Sequence, residues 1–148
     1  MMDILTRTLI TLSLIALGIG LYYLTNRVIL ARVRGRKLGL ESLRPGIPAI
    51  LYFTSPTCVP CKTIQHPELA RLKEQMGDGV QIIQVDCTER PYLAEYWGVL
   101  SVPTTFIIDA KGQPRGVNHG VMRAVKLLKQ IADVSGNQIT NNWVMSNS

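Results

Sequence analysis

Between Arg7 and Arg27 the chain runs for 19 residues, Thr8 to Asn26, without a charged side chain, and the centre of that run reads LITLSLIALGIGLYYL. A helix rises about 1.5 Å per residue, so a stretch of this length nearly crosses the roughly 30 Å hydrocarbon core of a bilayer. Tyr22 and Tyr23 stand at its end, where amphipathic rings favour the headgroup level, and Gly18 and Gly20 suit a membrane helix better than a soluble one. A cleaved signal peptide would show a shorter apolar region and a small-x-small cleavage site, whereas YYLTNRVILARVRGRK follows and offers none. A buried core helix would carry a polar face over so many turns. The expectation is an uncleaved anchor over residues 1–26, touching the membrane through residues 8–26.

The charge distribution is organised around this segment. The whole chain of 148 residues carries a net charge of +6, which invites a nucleic-acid partner. Residues 1–44 hold seven Lys/Arg and two acids, while residues 45–148 hold nine bases and eight acids. The basicity therefore flanks the apolar run, and the remainder is almost neutral, which argues against nucleic acid. Arg27, Arg32, Arg34, Arg36 and Lys37 follow the anchor directly, and an excess of Lys and Arg beside a membrane helix marks the cytoplasmic flank. Residues 27–45 read as a basic juxtamembrane linker, and the domain beyond is expected on the cytoplasmic face.

The remaining residues read as one small α/β domain, 46–135, with a polar tail over 136–148. Ala49–Thr54 is a short apolar run ending in turn residues, hence a buried strand. From Cys58 to Gly77 the spacing of Ile64, Leu69, Leu72 and Met76 predicts a helix, stopped by Gly77-Asp78-Gly79. Val80–Asp86 is a β-branched strand, Pro91–Trp97 a short helix, and Thr104–Asp109 a third strand turning at residues 110–113 into Arg115–His119. Met122–Val134 is amphipathic, with Val125, Leu128 and Ile131 expected on its buried face. The first two strands, joined by a helix, form a right-handed parallel crossover, and the order of elements implies helices on both faces of a mixed sheet.

Cys58-Val59-Pro60-Cys61 sits between the first strand and the helix. A helix N-terminus offers unpaired N–H groups and the positive end of the macrodipole, which together stabilise a thiolate. The second sulfur lies one turn away, placed to attack a mixed disulfide formed by the first. Cys58 is thus the expected nucleophile and Cys61 the resolving thiol, with Pro60 suited to the first helical turn and Lys62 adding positive charge. A metal site remains an alternative, drawing on Cys87, His66 and His119, although no second C-x-x-C or H-x-x-x-H accompanies the pair.

The stretches FTSPTCVPCK and VDCTERPYLAEYWGVLSVPTTFIID resemble the thioredoxin family, with the likeness running from Ala49 to Val134. The resemblance implies a thioredoxin-like three-layer sandwich with a mixed central sheet, preceded here by one transmembrane helix. It implies a cis-proline at Pro103, within Val102-Pro103-Thr104, lying beside the cysteine pair and blocking metal capture. The Val102 backbone would then pair with an extended substrate segment, and Thr57, Val59 and Pro60 would complete a substrate-binding rim. The implied activity is disulfide exchange with protein substrates, no cofactor of its own, and a protein electron donor or acceptor. The chain departs from the family pattern at Thr57, where thioredoxins carry Trp, and at Tyr52, where they carry a buried Asp as proton acceptor. Its usual Lys partner matches Gln84, and the helix proline falls at Pro67, one residue later than usual. Those losses leave open a non-catalytic, membrane-anchored adaptor. Cys87 reads as a half-buried hydrophobe or a third thiol, His66 as a satisfied structural residue, and Tyr52 as a core aromatic whose hydroxyl finds a partner.

Overall fold

The computed structural model describes residues 3–35 and 37–136. The chain divides into two compact units between Arg32 and Val33. The first is built on helix α1, Ile4–Val33, whose 30 residues include a stretch long and apolar enough to span a membrane. The hydroxyls of Thr8, Thr11 and Thr25 donate to the carbonyls of Leu5, Arg7 and Leu21 at 2.8, 2.9 and 2.8 Å, so these three hydroxyls find their partner within the helix itself.

In the second unit a four-stranded sheet runs in the order β2-β1-β3-β4. The strands are β1 (Ala49–Thr54), β2 (Gln81–Asp86), β3 (Thr104–Ile108) and β4 (Pro114–His119). β1 pairs parallel with β2 and antiparallel with β3, and β3 pairs antiparallel with β4. The uninterrupted apolar composition of β1 has its cause here: all six residues are buried, because the strand is central and covered on both faces. Successive side chains point to opposite faces. Ile50 and Tyr52 join Leu69 and Leu72 of helix α2 (His66–Met76) and Leu127 and Ile131 of helix α4 (Ala124–Val134). Phe53 turns the other way onto Phe106, which also packs against Trp97 of helix α3 (Pro91–Trp97). The result is the expected three-layer sandwich on a mixed sheet. Gly98 closes α3 at φ 69°, a left-handed conformation that glycine alone adopts without a steric cost.

Two expected faces are corrected. The buried face of α4 is Ala124, Leu127 and Ile131, while Val125 is 76% exposed. On a helix of 3.6 residues per turn, positions six apart drift roughly 120° from one another, whereas positions seven apart drift only about 20°. Val125 and Ile131 therefore never share a side. In the helix after β1, Ile64 is exposed and Gln65 is fully buried instead. The backbone over Cys61–Gln65 winds as a π-helical turn, in which the His66 N–H donates to Cys61 O five residues back. That extra residue per turn rotates the side chains, and it lies immediately before the proline that the sequence places one position late.

The β3–β4 hairpin is held by Asp109. Its carboxylate accepts the N–H groups of Lys111 and Gln113, both at 2.9 Å, and Arg115 Nε at 2.6 Å. Burial alone would raise this carboxyl, but the bonds from Gln113, Arg115 and Lys111, with the Arg115 charge, outweigh it and hold the group below its ordinary value. A depressed folded value means stability that is present above the unfolded value, about 3.9, and lost as pH falls through the folded one. Asp109→Ala is expected to cost about 2 kcal/mol at neutral pH. The difference from the parent should shrink below about pH 4, read by urea unfolding across the pH range. A deficit that stays constant into acid would show that the carboxylate charge plays no part.

Candidate active site

The turn leaving β1 is drawn tight by a bond from Cys58 N–H to Ser55 O at 3.1 Å, and it delivers Cys58 to the start of the helix. The Cys58 carbonyl accepts the Lys62 N–H at 3.3 Å, while its sulfur accepts the Cys61 N–H at 3.2 Å. A side-chain acceptor on the third helical N–H is the geometry of an N-cap, here with sulfur in place of a hydroxyl or carboxylate. The same bond and the helix dipole favour negative charge on that sulfur once the disulfide is reduced.

Cys58 and Cys61 are joined as a disulfide, with Cα atoms 5.3 Å apart. Cys58 keeps 7% of its surface exposed and Cys61 none, so of the two sulfurs Cys58 is the one an outside disulfide can reach. Val102 packs against the cluster that contains both cysteines. The Val102–Pro103 peptide is cis, Pro103 is buried, and its carbonyl accepts the Gly120 N–H at 2.8 Å. Around this centre Thr57, Val59 and Pro60 are exposed, Val59 to 66%, and Leu100 before the cis-proline is exposed to 88%. Leu100 carried no sequence signal beyond its apolar type.

The segment leading into α4 is pinned to the cysteine-bearing helix. The Gln65 amide accepts Met122 N–H at 2.8 Å and donates to Met122 O at 3.2 Å. Glu68, also buried, accepts Ala124 N–H at 2.7 Å and pairs with Arg71 at 3.0 Å. Neither residue stood out in the sequence; the signal that would have found Gln65 was its place in the turn lengthened ahead of Pro67.

The remaining candidates fall as follows. Cys87 is half-buried at the end of β2, with its N–H on Thr54 O at 2.9 Å. Burial first, and then the neighbouring Asp86 charge, push its thiol up, away from the reactive form. Among the described residues no cluster of three or more His, Cys, Asp or Glu side chains is placed to hold a metal ion. Two expectations are corrected: the hydroxyl of Tyr52 and Nε2 of His66 are both buried without a hydrogen-bond partner. Tyr52 is enclosed by the sheet and the helix above it, and the His66 ring meets it edge to face, so neither polar tip reaches solvent. Gln84, paired in register with Tyr52, is exposed.

A cysteine pair on a strand-to-helix turn, backed by a cis-proline segment in a mixed α/β sandwich, defines a thioredoxin-fold protein. The family model described as Thioredoxin matches residues 42–133, and the chain belongs to that family. Thioredoxin 1 of Synechococcus elongatus is 33% identical over 67 residues, covering 45% of this chain and 62% of its own. The thiol:disulfide interchange protein HelX of Rhodobacter capsulatus is 31% identical, covering 55% of this chain and 60% of its own. Among solved structures, oxidized mitochondrial thioredoxin 3 of Saccharomyces cerevisiae matches with a TM-score of 0.53 and 28% identity, over 66% of this chain and 85% of that one. The chain spans between 49% and 62% of the length of the first curated relatives it matches.

Proposed function

We propose that this chain is a membrane-anchored thiol–disulfide oxidoreductase acting on disulfide-containing proteins. The observation that carries it is the asymmetry of the pair: a capped Cys58 that keeps a little exposed surface, backed by a fully buried Cys61. Cys58 thiolate attacks a target disulfide, one target sulfur leaves with the electron pair, and a mixed disulfide forms. Cys61 then attacks the Cys58 sulfur, the second target sulfur leaves, and the pair ends oxidised while the target ends as two thiols. A dithiol protein must return two electrons for the next cycle. Thr57, Val59, Pro60, Val102 and Pro103 form the surface that meets the target. Residues 1–26 are the anchor, 27–45 the basic linker, 46–135 the catalytic domain and 136–148 the tail, of which 137–148 lie outside the described residues. The basic flank after the anchor supports a cytoplasmic domain, where the pair would serve as a reductant.

Cys61→Ser should trap these targets in cells as mixed disulfides through Cys58, separable on non-reducing gels and released by dithiothreitol. Targets drawn from the cytoplasm fit the orientation; targets solely from the opposite side reverse it. No adducts while Cys58 still reacts with a thiol reagent would favour an adaptor that never exchanges disulfides.

A further inference from the structure

We propose that the free edge of β2 pairs with the same edge of a second copy of this chain, antiparallel about a two-fold axis at Ile83, so that the two sheets run on as one. β2 is the last strand on its side of the sheet, and among the described residues no strand lies beyond it. A strand edge with unpaired N–H and C=O groups is a template for another strand, and folded proteins blunt it with proline, charge or a bulge. The other edge of this sheet is treated that way: β4 opens on Pro114, carries an exposed Arg115 and shifts register opposite Ile107 and Ile108. β2 has none of these between Gln81 and Val85, where it reads QIIQV. The hydrogen bonds that the segment before β1 makes to β2 stop at its first residue. There the Arg44 N–H donates to Gln81 Oε1 at 2.9 Å, and Gln81 Nε2 donates to the Ser42 carbonyl.

The backbone names the register. Gln81 N–H donates to Pro48 O and Cys87 N–H to Thr54 O, so in this parallel ladder the odd-numbered residues of β2 bond β1. Ile82 and Gln84 therefore turn their N–H and C=O groups outward, while the Asp86 carbonyl is taken by the Arg90 N–H. About an axis at Ile83, Ile82 exchanges both groups with the second copy's Gln84, and Gln84 with the second copy's Ile82. The half-buried Ile83 side chains then meet each other across the axis. Asp86 comes opposite the second copy's Val80, on whose carbonyl Lys73 Nζ donates at 2.9 Å, so a carboxylate approaches an ammonium. Charge along the edge agrees. A cleft of about 310 Å³ at the start of β2 is lined by Arg44, Lys73 and Asp78, and the turn after β2 carries Asp86, Glu89 and Arg90. The basic end meets the acidic end only when the strands run antiparallel. An axis at Gln84 would set Ile82 against a carboxylate, and one at Val85 would require a fully buried side chain to meet its copy. Cys58 follows β1, so the two redox pairs lie at opposite ends of the joint sheet and neither covers the other.

The full chain in non-ionic detergent, measured by light scattering with the detergent subtracted, should pass from one copy to two over about 10–100 μM, because a single short edge makes an interface of the weak class. Gln84→Pro removes an N–H that faces away from β1, a change that a strand edge tolerates. It should raise the dissociation constant about tenfold or more while keeping the parent's far-UV circular dichroism. A dimer that survives Gln84→Pro unchanged is held by another surface and overturns the proposal, as does a parent that stays single throughout. Cross-linking then tests the register. On a chain carrying Cys58→Ser, Cys61→Ser and Cys87→Ser, Ile83→Cys should form an intermolecular disulfide under copper-phenanthroline. Directly opposed residues of a non-hydrogen-bonded antiparallel pair have Cα atoms about 4.5 Å apart, within disulfide reach. Val125→Cys on the same background is the collision control, since Val125 is 76% exposed and chance encounters favour it over the half-buried Ile83. Ile83→Cys should cross-link at least about tenfold faster than this control. Cross-linking no faster than the control overturns the edge pairing, whether or not the proline variant folds.

Discussion

Trp97→Ala is expected to destabilise the α/β unit by about 3–5 kcal/mol, a large share of the 5–15 kcal/mol typical of a domain. Trp97 is fully buried, packs on Phe106 with ring centroids 5.0 Å apart, and donates from Nε1 to Leu38 O at 2.9 Å. Alanine would open a cavity against the sheet face opposite the cysteines and also leave a carbonyl without its donor. Trp97→Phe should keep most of the packing and lose the hydrogen bond, for about 1–2 kcal/mol. Urea unfolding of the full chain in non-ionic detergent, followed by far-UV circular dichroism, measures both. A loss below about 1 kcal/mol for the alanine variant would mean that this layer collapses around the gap at little cost. The bond to Leu38 also implies that part of the segment preceding β1 is fastened to the α/β unit, so protease access near residue 38 should rise in both variants.

Much of this fold was legible because its signals are local. AILYFT has no charged or amide side chain to place on a solvent face, which is what a central strand covered on both sides requires. Gly98 and the Gly77–Gly79 turn ended their helices where expected. The cysteine pair was legible for the same reason, since its meaning depends on a strand before it and a helix after it. What escaped were matters of one residue of rotation. The late Pro67 was visible as a spacing, but only packing decides whether a chain absorbs an added residue by a loop, a kink or a π-helical turn. That turn buries Gln65 and sets His66 against Tyr52. Residue type alone then misleads: a histidine beside a proline and a tyrosine in a strand both suggested satisfied structural residues, and their isolation from hydrogen-bond partners belongs to three dimensions. The drift of Val125 off the core side of α4 has the same origin in accumulated angle.

Cys58→Ser should reduce disulfide-exchange turnover to the uncatalysed rate, with little change in stability relative to the reduced parent. The oxygen is close in size to the sulfur and can still accept the Cys61 N–H at the head of the helix, so the cap survives. The chemistry does not, because a hydroxyl at neutral pH supplies no counterpart to a thiolate held at a helix N-terminus. Cys61 cannot substitute for it: its sulfur is fully buried and meets disulfides only after Cys58 has brought one inside. The two single variants should therefore differ in kind. With the reduced full chain on a Cys87→Ser background, in detergent micelles and mixed with one equivalent of dithiobis-nitrobenzoate, Cys61→Ser should release one equivalent of coloured thiolate at the parental rate and then stop. Cys58→Ser should release almost nothing, although it retains one of the two redox thiols. Equal reactivity of the two variants would mean that either sulfur can open the reaction, and the order of attack read from their burial would be wrong. With both proteins reduced, so that the Cys58–Cys61 cross-link is absent from each, a Cys58→Ser protein that loses more than about 1 kcal/mol of stability would show the sulfur acting as a structural cap beyond what oxygen can supply.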